Sequence, residues 1–171
     1  MNRVEIYEKS VDILLTAYNE GNLEHSSCLK CAVGNLLSKP LGEKGFDLGV
    51  WTNFFYTASD GVQRINSCSF VSEEKEEMVK ETILSYGYSF EELSKIEHTF
   101  EMSLINRGRA SYNYHTTKNV KKGQFLGLSA VLDLLKEIHS TPESIVAQNQ
   151  EKLENIYNNF TNDGQKIKEL C

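Results

Sequence analysis

Proline is nearly missing. Only Pro40 and Pro142 occur in 171 residues, too few for a linker-rich or disordered chain. Long hydrophobic runs are missing too: nothing approaches the ~20 residues that span a bilayer. The first residues, Met1-Asn2-Arg3-Val4-Glu5, turn charged at once, unlike a secretory leader. These absences read as a cytoplasmic protein with no membrane partner. G-x-G-x-x-G, G-x4-G-K-[ST], H-E-x-x-H and G-x-S-x-G do not occur, which points to a protein with no enzymatic role and no cofactor. Cysteine is limited to Cys28, Cys31, Cys68 and Cys171, which stay reduced thiols in that compartment. The net charge of −6 disfavours long nucleic acid, whose phosphates a uniformly acidic surface repels.

What is present is helical periodicity. Val4, Tyr7, Val11, Leu14, Leu15 and Tyr18 recur at spacings of three and four, the pattern of an amphipathic helix, and Gly21 stands where such a helix stops. Ser26 or Ser27 is a suitable cap for a short second helix through Cys28, Ala32 and Leu36 that ends near Ser38, before Pro40. Ser72 with Glu73 and Glu74 opens a helix that Gly87 closes. Ser89 and Glu92 form a capping box ahead of Leu93, Ile96, Phe100 and Leu104. Helical spacing returns over 125–138, and Thr141-Pro142-Glu143 starts a last helix. Residues 106–123 read as polar and aperiodic. Residues 40–71 form an irregular segment rich in Gly and aromatics, with a helical turn over 50–57 and a loop or short strand pair over 62–70. The expected fold is mainly α: a compact bundle of about six helices in one domain, 1–171, which buries about 70% of its unfolded surface.

The charge distribution singles out one window. From Met102 to Leu132 there is no Asp or Glu, yet Arg107, Arg109, Lys118, Lys121 and Lys122 fall inside it, interleaved with Tyr112, Tyr114 and His115. Arginine supplies a forked phosphate donor, lysine a point charge and tyrosine a stacking face. A compact, nucleotide-like anion suits this set, and these eight residues are the expected ligand site. The bland alternative is a solvated loop whose cations pair with the acids of 73–77 and 91–101.

Two other groupings carry possible chemistry. His25, Cys28 and Cys31, with Cys68 as a fourth ligand, offer the donors zinc prefers, or a thiol activated at a helix start. The opposing reading makes both cysteines of the pair small core residues. The acids Glu73, Glu74, Glu76, Glu77, Glu91, Glu92, Glu97 and Glu101 could do acid/base work or bind a divalent metal as paired carboxylates; the opposing reading is a solvated face, with those at helix starts answering the helix dipole. A third functional class is a helical interaction module, a possible homo-oligomer that uses Trp51, Phe54 and Phe55 as its contact patch.

Three blocks, SCLKCAVGNL at 27–36, GYSFEELSKIE at 87–97 and GLSAVL at 127–132, give the chain a resemblance to a family of small bacterial and phage-borne proteins. Members of that family often carry the label of a Na(+)-translocating NADH-quinone reductase component. The likeness runs over residues 10–138. An iron–sulfur protein of that kind needs C-x4-C-x2-C and a distant fourth cysteine, whereas this chain has only C-x2-C, so the label's chemistry does not transfer. The phage-borne occurrence implies instead a sponge that sequesters a nucleotide immune signal, an anti-defence role.

Overall fold

The computed structural model describes residues 2–25, 30–38, 55–57, 63–65, 81, 83–105 and 117–169. Helix α1 (Arg3–Asn19) begins at a capping box: Asn2 Oδ1 accepts from the Glu5 amide at 2.9 Å and the Glu5 carboxylate accepts from the Asn2 amide at 3.0 Å. Each group satisfies a donor the first turn leaves open. Its stripe of Ile6, Tyr7, Ser10, Val11, Leu14, Leu15 and Ala17 is buried. The helix ends in a Schellman turn, with Asn22 N–H on the Ala17 carbonyl and Gly21 N–H on that of Tyr18. Gly21 has φ +72°, the left-handed conformation that glycine adopts without a side-chain clash.

Helix α2 (Ala32–Ser38) is shorter than the sequence suggests. Residues 30 and 31 are not helical, so the start expected after Ser26 or Ser27 is corrected. Cys31 stands at the cap position instead, its Sγ accepting from the Gly34 amide at 3.2 Å. Asn35 fastens the approach to this helix, its Nδ2 donating to the carbonyls of Asn22, Lys30 and Cys31 at 2.8–3.0 Å. Ala32, Val33, Leu36 and Leu37 are all buried, which places α2 inside the bundle, not on its surface. Asn35→Ala removes the three Nδ2 hydrogen bonds, leaving the Lys30 carbonyl its Glu24 amide and the Cys31 carbonyl the Asn35 amide, and is expected to destabilise the protein by about 1–3 kcal/mol, measured by urea denaturation.

The helical turn expected over 50–57 is corrected at its end: Phe55–Thr57 is a strand, β1. It pairs antiparallel with β2 (Gln63–Ile65), in the register Phe55↔Ile65, Tyr56↔Arg64 and Thr57↔Gln63. The helical residues 83–85 close at Gly87, φ +84°. Ser89 and Glu92 then make the expected capping box (2.7 and 3.1 Å) for α3 (Phe90–Ile105).

Helix α4 (Thr117–His139) starts well before position 125, so the stretch read as aperiodic is helical from 117. Among the described elements, the most extensive packing joins α3 to α4. Leu93, Ile96 and Phe100 on α3 and Leu128, Val131, Leu132 and Leu135 on α4 are all buried. Helix α1 packs on α4, and α2 packs on α1 and α3. Helix α5 (Glu143–Glu169) lies against α1 and α4. The protein is thus mainly helical, as its periodicity predicts. Among the described residues, no helix is long and apolar enough to cross a membrane.

Candidate functional site

Two regions hold the residues singled out by the sequence. The first is the start of α4. Lys118, Lys121 and Lys122 belong to its first two turns, not to a loop. Positions 118, 121 and 122 are three and four apart and share one helix face. The first turn of α4 contains no acid, although the unpaired amides of a helix start amount to roughly half a positive charge and favour carboxylates there. At the other end the arrangement is conventional, with Lys136 and His139 in the last turn.

Lys121 and Lys122 are exposed. Arg3, Lys30, Lys95, Lys136 and Lys152 each lie 2.8–3.4 Å from a carboxylate, of Glu92, Glu24, Glu91, Glu143 and Asp12 respectively. Among the described residues no carboxylate comes within ion-pair range of Lys121 or Lys122. The acids of 91–101 are otherwise engaged: Glu91 with Lys95, Glu92 with Arg3 and Glu97 with Cys31. The remaining expected ligand residues, Arg107, Arg109, Tyr112, Tyr114 and His115, lie outside the described residues, as do Trp51 and Phe54 of the expected contact patch.

The second region is internal, between the approach to α2 and the middle of α3. The His25 ring stacks flat on Phe100, with centroids 4.1 Å apart and planes 5° from parallel. Its Nε2 is 3.1 Å from the Phe100 carbonyl. Burial holds this histidine neutral, its pKa lowered to about 4 against a weaker opposing pull from that carbonyl. One turn earlier on α3, Cys31 meets Glu97 through a thiol–carboxyl hydrogen bond. Glu97 and Glu101 are each only 3% exposed, which corrects the solvated face expected for them.

Desolvation raises the Glu97 carboxyl to about 8, and Glu101 pushes the same way. Among the described residues its Oε2 has no hydrogen-bond partner. The Cys31 thiol is pushed up by burial first and by Glu97 next, so the thiolate needed for nucleophilic attack or metal binding is strongly disfavoured. His25 and Cys31 therefore both rest on α3, as a neutral ring and a neutral thiol. Among the described residues no three His, Cys, Asp or Glu side chains gather to hold a metal ion. Cys28 and Cys68, the other two expected zinc ligands, lie outside those residues.

Sequence reasoning missed a third polar group, in the core between α1 and the end of α4. Ser10 donates to the Ile6 carbonyl at 2.7 Å, so its oxygen receives the Tyr88 hydroxyl proton. Tyr88 stands edge-on to His139. A serine at one stripe position of α1 was the available signal. No known family model, curated protein or solved structure matches the chain.

Proposed function

We propose that the protein is a non-enzymatic binder of a small phosphate-bearing anion of nucleotide class, gripped at the start of α4. The observation that carries this reading is the pair of exposed lysines, Lys121 and Lys122, in the early turns of an acid-free helix start, without a carboxylate partner among the described residues. Lysine there repels the helix's own positive end at a cost of a few tenths of a kcal/mol. A bound anion reverses the sign of both interactions, because open amides and ammonium groups then point at the same phosphate. Arg107, Arg109 and Lys118 extend the positive charge along the chain, and Tyr112, Tyr114 and His115 supply rings for a base. Sequestration of a nucleotide signal, the role implied by the family resemblance, is the biological form of this reading.

A thermal-shift series with mononucleotides, cyclic nucleotides and inorganic phosphate, at low and high salt, tests it. Ligand at 100 times its Kd stabilises by about 2.7 kcal/mol, which raises Tm by roughly 5–10 °C in a domain of this size. The shift should shrink with salt and disappear in Lys121→Glu/Lys122→Glu. A Tm unmoved by every nucleotide at low salt overturns the proposal.

A further inference from the structure

We propose that the corner between α4 and α5 is a proton-operated hinge: protonation at His139 releases α5 from α1 and α4. The inference is independent of the anion site. His139 closes α4 with only 2% of its surface exposed. Among the described residues neither ring nitrogen has a hydrogen-bond partner. The Tyr88 ring covers it edge-on, centroids 5.2 Å apart and planes at 73°. Two further buried polar atoms without partners there belong to the same corner and the helix after it, Thr141 Oγ1 and Asn149 Nδ2. A buried imidazolium needs two acceptors and finds none here, so the charged ring is accommodated only in water.

The charged and titratable neighbours decide the direction. From α1, Arg3 donates to the Ile138 carbonyl at 2.7 Å and opposes a second cation beside it. From α3, Glu92 lies 3.4 Å from that guanidinium and pulls the other way. Tyr88 presents a ring edge. Across the corner, Lys136 and Glu143 neutralise each other at 2.8 Å. Burial comes first and Arg3 second in holding His139 below the ordinary histidine value, with Glu92 opposing. Protonation is thus resisted in the closed form and released on opening.

The corner is also built to open. Thr141 N–H reaches the Lys136 carbonyl and Ser140 N–H that of Glu137, the same Schellman turn that ends α1. Here the left-handed position is Ser140, φ +49°, where α1 has Gly21, so this turn holds strain that α1 avoids. Beyond it the described part of α5 packs on the core largely through half-buried Ile145, Val146 and Ile156. Of its described side chains only Asn149 and Leu153 are buried. Among the described residues its ion pair with α1 is the exposed Lys152–Asp12 contact at 3.0 Å, and the Asn149 side chain faces Tyr7.

Hydrogen exchange of the full chain at pH 7.5 and 5.0, corrected for intrinsic rates, tests the hinge. Peptides covering 143–156 should lose protection several-fold at pH 5.0, because burial keeps the His139 ring below its ordinary value in the closed form and opening releases it. Peptides of α3 and α4 should keep theirs. His139→Phe, which keeps a ring under Tyr88 but takes no proton, should hold α5 protected at both pH values. Should that variant fail to fold, the His139 ring resonance of the native protein decides. A midpoint depressed below the ordinary value, coinciding with α5 release, supports the hinge. Protection of α5 that does not change with pH, or the same loss in His139→Phe, overturns it.

Discussion

Glu97→Gln should make the protein more stable than the native chain at pH 8, by roughly 2–4 kcal/mol, and leave it nearly unchanged at pH 5. The carboxyl titrates at about 8 in the fold, against 4.5 for the free group. Between those values the folded chain holds a proton that the unfolded chain has released. Stability from this group is therefore complete below pH 4.5 and drains away as pH rises through 8. Glutamine keeps the shape and an acceptor for the Cys31 thiol, and it never ionises.

The histidines tilt the other way. His25, lowered to about 4, and His139, also lowered, stabilise the fold fully above pH 6.5 and withdraw that support as the solution is acidified towards their folded values. The native stability profile is thus squeezed from both sides, and only the difference between variant and parent isolates Glu97. Urea denaturation of both proteins from pH 5 to 8 measures it. Curves that run parallel across that range would remove the buried neutral carboxyl from the account.

Gly87→Ala should lower stability by about 2–4 kcal/mol, from roughly 1 kcal/mol for the left-handed backbone and the rest for overlap. The new Cβ falls on Ile6 Cδ1 and within 3.0 Å of Ile6 Cγ1, and the backbone sits at φ +84°. Ile6 is in the packed core and has little room to retreat. Gly21→Ala provides the internal standard. Its φ of +72° imposes a similar strain, but no atom lies within 4 Å of the added carbon, so its cost should stay near 1 kcal/mol. Thermal melts of the two variants separate the backbone term from the steric one. Combining Gly87→Ala with Ile6→Ala should recover part of the loss as a coupling energy. Equal losses for the two glycines would contradict the overlap.

The elements most legible in the sequence are those where periodicity and capping chemistry agree. The stripe of α1, its stop at Gly21, the stop at Gly87 and the Ser89–Glu92 box all follow from local rules that tertiary contacts leave intact. The start of α4 is not legible, because Lys118, Lys121, Lys122 and Gly123 offer no apolar repeat and stand against the dipole rule. Burial of Glu97 and Glu101 is hidden by residue type, though both flank the stripe of Leu93, Ile96 and Phe100. The start of α2 is displaced because serine is a common cap and cysteine a rare one. Of the expected ligand residues, Lys118, Lys121 and Lys122 share one helix face; whether the remaining five join them is the question the nucleotide series answers.

The packing of α1 on α4 also has a history in time. Everything from residue 20 to 116 is synthesised between these two helices, which takes roughly 5–20 s at ordinary elongation rates. Throughout that interval Ile6, Val11, Leu14 and Leu15 have no α4 to cover them. A nascent chain of this protein thus carries α1 with its α4-facing stripe uncovered, a natural client for chaperones that patrol the ribosome exit.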